Sequence, residues 1–282
     1  LDLVRKHFED MEADGVERYI GGEWRLEGPS NIGGRFNTVA VDPFNSDVIL
    51  AGSCAGGLFK TDDGGENWWP VTDDFAWMAM GSIAFDQSQE GLVYLGTGDP
   101  QISSHPRLGS GVWKSTDSGD SWEHLGLDSA RIVSKMLVLE DDPEILMAGT
   151  MGNPAIKGPD RGLYRSTDAG QTWNQVLLPS DSAGINDLAY DPETGIMIAA
   201  GWNRLRNSTN SLVTGPESKL YRSEDQGETW NQIENPWGDE NRCRIGLDEI
   251  DGMFYALVVG LDMQLDNIYK SVDGGFTWDA II

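Results

Sequence analysis

The chain has 282 residues, 39% of them hydrophobic and 9% aromatic, which is enough to bury a core and excludes wholesale disorder. Lys and Arg number 20 against 46 Asp and Glu, and the resulting net charge of −26 argues against binding nucleic acid or anionic lipid, both of which reward basic surfaces. Two cysteines, Cys54 and Cys243, are too few for a disulfide framework, and no apolar run approaches the roughly 20 residues that insertion in a bilayer requires.

Residues 1–22 place Leu1, Val4, Phe8 and Met11 at helical spacing among charged residues, which predicts a short amphipathic helical leader. Residues 23–28 (EWRLEG) repeat the pattern around Trp122 and read as a lone ring-closing strand. From residue 36 the chain becomes periodic. Five segments share one template: LFKTDDGGENW (58–68), VWKSTDSGDSW (112–122), LYRSTDAGQTW (163–173), LYRSEDQGETW (220–230) and IYKSVDGGFTW (268–278). Their central carboxylates, Asp63, Asp117, Asp168, Asp225 and Asp273, are spaced by 54, 51, 57 and 48 residues. A period near 50 is long for a helical solenoid and suits one four-stranded propeller blade.

Two β-rich runs precede each motif, such as FNTVAVDP with VILAGSC, and Asp-Pro pairs at 42–43 and 191–192 supply turns between them. The expected fold is all-β: four-stranded antiparallel blades over about 36–73, 80–126, 132–179, 185–236 and 243–282. The segments at 23–28 and 278–282 both read as fourth strands with no spare partners. That predicts a larger ring, with the native polypeptide continuing past Ile282 for at least one more blade.

The motif has a structural job. The chain must reverse after the third strand of each blade, the glycine permits the backbone geometry, and the Asp accepts N–H groups across the turn. The closing Trp68, Trp122, Trp173, Trp230 and Trp278 would each wedge between neighbouring sheets. These ten residues are architectural, not catalytic.

This pattern resembles the Asp-box, or bacterial neuraminidase, repeat. From Trp24 onward the chain is similar to secreted bacterial sortilin-like and xyloglucanase-like propellers, through Gly28–Arg35, Leu95–Asp99 and the Asp boxes. The resemblance implies a secreted or cell-surface protein, possible contact with outer-membrane secretion machinery as a type IX substrate of the Bacteroidetes kind, and a protein or glycan ligand.

In such a blade the connections between the second and third strands share a face with those leading from one blade to the next, and the Asp boxes mark the other face. All three long insertions, 99–110, 151–161 and 202–218, fall on the first face. They bring Asp99, His105, Arg107, Asn153, Arg161, Trp202, Asn203, Arg204 and Arg206, while the interblade loops add Arg35, Trp77, Arg131 and Arg244. Arginines gathered on one rim of a very acidic chain favour an anionic or hydroxyl-rich ligand, with Trp77 and Trp202 available for stacking; tying the loops together is the competing role for these arginines. Binding of a protein or polysaccharide is therefore the first expectation, ahead of a glycosidase with carboxylates partly outside this chain and of a cargo or scaffold role.

Catalytic residues are not expected. The resemblance to sialidases lacks the Arg-Ile-Pro element, since Arg131-Ile132 and Arg244-Ile245 are followed by Val133 and Gly246. The resemblance to xyloglucanases puts Cys54, ahead of Gly56-Gly57, where a carboxylate would stand, and a thiol cannot perform two-carboxylate chemistry. His7, His105 and His124 lack metal-ligand spacing, and the sequence implies no cofactor.

Overall fold

The computed structural model describes residues 34–103, 105–238 and 240–281, so the expected leader at 1–22 and the strand at 23–28 lie outside the described residues. The unit Arg35–Ile282 consists of five four-stranded antiparallel sheets. The first is β1 (Phe36–Val41), β2 (Ile49–Ser53), β3 (Leu58–Thr61) and β4 (Trp69–Pro70). The second is β5 (Met80–Phe85), β6 (Val93–Thr97), β7 (Val112–Ser115) and β8 (Glu123–His124). The third is β9 (Val133–Val138), β10 (Leu146–Thr150), β11 (Gly162–Ser166) and β12 (Asn174–Leu177).

The fourth has β13 (Ala183–Tyr190) and β14 (Met197–Asn203), then a two-stranded excursion of β15 (Leu205–Arg206) and β16 (Ser211–Leu212), before β17 (Leu220–Ser223) and β18 (Asn231–Gln232) complete it. The fifth is β19 (Ile245–Ile250), β20 (Met253–Val259), β21 (Leu265–Ser271) and β22 (Asp279–Ala280). The described residues contain no α-helix, only a 3-10 turn at Asp128–Ala130.

Each sheet packs on the next through its first strand, because β1, β5, β9, β13 and β19 contact one another in that order. Four apolar clusters fill the four interfaces, centred on Leu50 and Leu95, Val133 and Leu146, Ile185 and Met197, and Ile198 and Phe254. Trp122, Trp173, Trp230 and Trp278 each close the cluster in front of their own sheet. Trp68, in the first sheet, is 43% exposed.

The Asp box is a hydrogen-bonded clamp. In the second sheet Asp117 Oδ1 accepts the Ser115 hydroxyl at 2.6 Å and the Ser121 N–H at 2.9 Å, while Oδ2 takes the Ser121 hydroxyl at 2.5 Å. The Ser115 hydroxyl oxygen in turn accepts the Gly119 N–H at 2.8 Å. The boxes at Asp168, Asp225 and Asp273 repeat these partners, and at Asp63 the Asn67 amide takes the place of the last hydroxyl. Two consecutive residues take positive φ in every box, not the glycine alone. The earlier one is Gly64 or Gly274 in two boxes, but Ser118, Ala169 and Gln226 in the others, at φ near 55.

The clamp has a pH signature. Asp63 is pulled down from 3.8 to about 2 by the Asn67 N–H, the Asn67 amide and the Thr61 hydroxyl. In Asp168 and Asp273 the hydroxyl and N–H of the Thr four residues on lower the pKa likewise. Because the folded values are depressed, the stabilisation is complete above the unfolded value and disappears as pH falls through the folded one. The melting temperature should therefore drop steeply between about pH 4 and pH 2. An Asp63→Asn variant should melt lower at pH 7 and show a shallower acid slope; parallel slopes for parent and variant would contradict this account.

Candidate ligand-binding face

A recurring irregularity in the first strands builds the centre of the insertion-bearing face. Register shifts beside Asn37, Gly81, Ser134 and Asn186 leave these residues as bulges in β1, β5, β9 and β13. The bulged side chain reaches to the following sheet. Asn37 Nδ2 donates to Met80 O at 2.9 Å, Ser134 Oγ to Ile185 O at 2.5 Å, and Asn186 Nδ2 to Ile245 O at 2.9 Å. Gly81 keeps the same spacing with no side chain, since a Cβ there would lie 2.1 Å from Val133 O.

The next residue in each strand adds a second tie. Thr38 Oγ1 accepts the Ile83 N–H at 3.2 Å, Ser82 Oγ the Met136 N–H at 2.9 Å, and Asp187 Oδ2 the Leu247 N–H at 3.1 Å. Lys135 occupies this position in β9 and has no lone pair to offer, so its ammonium pairs with Asp187 Oδ1 at 3.3 Å.

These ladders wall a polar funnel of about 260 Å³, whose lining includes Asn37, Gln101, Lys135, Asn186, Asp187 and Arg244. Asn37 and Asn186 each have Nδ2 fixed on a carbonyl and a buried Oδ1 without a partner. Asp99, fully buried at the rim, accepts Arg35 Nη2 at 2.5 Å, Asn37 Nδ2 at 3.3 Å and the Gln101 N–H at 3.1 Å. Arg244 donates to Gln101 Oε1 and lies 5.9 Å from the Trp202 ring centroid. Burial pushes the Arg244 pKa down, opposed by Asp187 and Asp99. Arg35, Lys135 and Arg244 thus outnumber Asp99 and Asp187 here, although the chain carries −26 overall.

The three insertions touch one another. Arg206 N donates to Pro154 O at 2.6 Å, Asn207 Nδ2 to Ala155 O at 2.9 Å, and Arg204 Nη2 to Ile102 O. Beneath them Ile102, Ile132, Met151, Trp202 and Cys243 form a small apolar cluster of their own. Cys54 and Cys243 are both free thiols.

This arrangement removes several expected contact residues from the surface. Trp202 and Asn203 belong to the end of β14, not to a loop, and are 4% and 3% exposed. Trp202 donates Nε1 to Val213 O at 2.9 Å, and Asn203 Oδ1 accepts the Glu217 N–H, so neither can meet a ligand. Arg204 bonds Leu212 O at 3.0 Å and lies over Trp202. Arg161 is 1% exposed and donates to Met151 O, Asn153 O, Ile156 O and Arg204 O at 2.7–3.2 Å. Burial lowers its pKa to about 10, with Asp181 opposing. Both arginines hold insertions together because a long loop carries carbonyls that need donors.

The remaining residues stay near solvent. Arg107 and His105 are exposed, Arg206 donates to Ser211 Oγ, and Asn153 Oδ1 accepts the Ala155 N–H at 3.0 Å. Trp77 is 40% exposed with the Arg131 guanidinium 6.0 Å from its ring centroid. Sequence reasoning missed Asn37, Gln101, Lys135, Asn186 and Asp187. Four of these sit in triplets that recur at the start of the first strands, FNT, MGS, VSK and IND, and aligning the repeats on those triplets would have exposed them.

The fold and the repeated clamp define an Asp-box β-propeller. Residues 110–249 match the Sortilin-Vps10 family (sortilin, neurotensin receptor 3), and the chain is homologous to the propellers of GH74 xyloglucanases. It is 29% identical over 226 residues to xyloglucanase Xgh74A of Acetivibrio thermocellus, covering 71% of this chain and 26% of that protein. An oligoxyloglucan-reducing end-specific xyloglucanase of Emericella nidulans is 26% identical over 86% of this chain and 26% of its own. The GH74 xyloglucanase structure from Xanthomonas campestris superposes with a TM-score of 0.64 at 20% identity, covering 88% of this chain and 38% of that one. The chain thus spans about a quarter of the length of the curated relatives it matches.

Proposed function

We propose that this propeller is an extracellular binding module that holds a polysaccharide on the insertion-bearing face. The observation that carries this reading is a polar funnel on that face whose cations outnumber its anions and whose wall includes Pro100 and Gln101 of the first insertion, itself tied to the third through Arg204. The xyloglucanase relatives favour a glycan over a protein as the ligand. Trp77 offers an exposed aromatic face, and the funnel offers Lys135, Gln101 and two unpartnered amide oxygens.

Binding is favoured over turnover because the two funnel carboxylates are engaged, Asp99 by Arg35 and Asp187 by Lys135. The same kinship supports an extracellular location, and no helix among the described residues is long and apolar enough to cross a membrane.

The test is affinity electrophoresis against neutral and acidic polysaccharides with the parent chain, Trp77→Ala and Lys135→Met. Each variant should weaken retention about tenfold, the equivalent of roughly 1.4 kcal/mol. Retention by no polysaccharide, or unchanged retention in both variants, would overturn the proposal.

A further inference from the structure

A second cavity, of about 470 Å³, lies at the fourth sheet between the return of the long excursion before β17 and the segment leaving β18. That size falls within the roughly 300–1,000 Å³ range of small-molecule sites. Ser218, on its lining, is 2% exposed and its Oγ has no partner. The indole N–H of Trp237, next to the lining residue Gly238, is likewise buried without a partner. Of the two, only Ser218 faces the cavity, and a buried hydroxyl left unpaired on a cavity wall is uncommon in native interiors.

The other lining groups mix donors and acceptors. Asn235 Oδ1 accepts the Leu220 N–H at 3.1 Å, which leaves its NH2 for a ligand. Lys219 Nζ donates to Gln232 Oε1 at 3.2 Å, and Glu240 accepts Arg242 Nη1 at 2.9 Å. Among the lining residues Lys219 stands against Glu234 and Glu240, so the cavity has no positive excess to attract an anion. No group of three or more His, Cys, Asp or Glu among the described residues could hold a metal. Pro216 and Ile233 add an apolar patch.

We infer that this cavity binds a neutral, hydroxyl-rich ligand the size of one or two sugar units. A hydroxyl both donates and accepts, so vicinal hydroxyls match a wall of amides, carboxylates and one unused serine. The C–H face of a pyranose has Pro216 and Ile233 to pack on. A carboxylate or phosphate would meet Glu234 and Glu240 instead. This inference does not depend on the funnel reading, because the two cavities share no lining residue.

The experiment is calorimetric and saturation-transfer NMR titration of the 282-residue chain with cellobiose, maltose and glucuronic acid. At least one disaccharide should bind and glucuronic acid should bind more weakly. Ser218→Ala should weaken disaccharide binding at least fivefold while leaving the melting temperature unchanged or higher, since removing an unpaired hydroxyl costs the fold nothing. Gln232→Ala should weaken it as well, whereas Lys135→Met should leave it unaltered. Absence of disaccharide binding, tighter binding of glucuronic acid, or unchanged affinity in both Ser218→Ala and Gln232→Ala would overturn the inference.

Discussion

Replacing Arg161 by Met should lower the unfolding free energy by about 3–5 kcal/mol, a large share of what a domain has to spare. The guanidinium donates to four carbonyls from two different insertions and is 1% exposed. Methionine fills most of the volume but leaves three of those carbonyls unpaired, Asn153 O keeping the Ile156 N–H, at roughly 1–3 kcal/mol each before relaxation. Relief of the buried charge, visible in the pKa pushed down to about 10, offsets only part of that loss. Arg161→Lys should recover little, because an ammonium cannot span acceptors laid out for a planar fork. Urea denaturation gives the magnitude, and hydrogen exchange should show protection lost first across 151–161. A loss below about 1 kcal/mol would mean that water replaces the guanidinium and that the clamp is dispensable.

Gly81→Asn should be the second severe substitution, although the repeat pattern recommends it. Asparagine is native at two of the four bulge positions, Asn37 and Asn186, so an averaged repeat would install it at the second sheet as well. A Cβ at Gly81 would stand 2.1 Å from Val133 O and 2.9 Å from Gly98 O, both backbone atoms that cannot swing aside. The first strands of the second and third sheets must then part. We expect a loss of about 3 kcal/mol, at the upper end of the usual cost of overpacking. Asn37→Gly should lose about 1–2 kcal/mol, one hydrogen bond plus the backbone entropy of glycine. Equal melting temperatures for Gly81→Asn and the parent would show that the ladder tolerates a side chain there.

Architecture was legible in the sequence because the Asp clamp is local. Ser115, Asp117, Gly119 and Ser121 satisfy one another within seven residues, so their spacing records their geometry. The position of the insertions was legible too, since it follows from counting strands between clamps. What each insertion residue does was not. An arginine that gathers carbonyls, such as Arg161, and one at a funnel rim, such as Arg35, look alike until burial separates them. Trp202 read as a stacking platform because the pattern gave no sign that β14 runs on through Asn203 and that the insertions fold over an apolar floor. The funnel residues were hidden for the opposite reason: Asn186 and Asp187 interrupt an apolar strand by only two positions and bond to a sheet about 60 residues away.

Every tryptophan that seals an interface does so between one sheet and the sheet before it, and the bulged Asn37, Ser134 and Asn186 each reach across to the sheet after it. These two devices couple only neighbouring sheets, whereas Arg204 and Arg244 add ties from the fourth and fifth sheets to the insertion of the second. Nearest-neighbour links of that kind let a sheet be duplicated or excised without redesign of the others, except where the excised sheet holds one end of a tie across the face, as the second sheet does for Arg204 and Arg244.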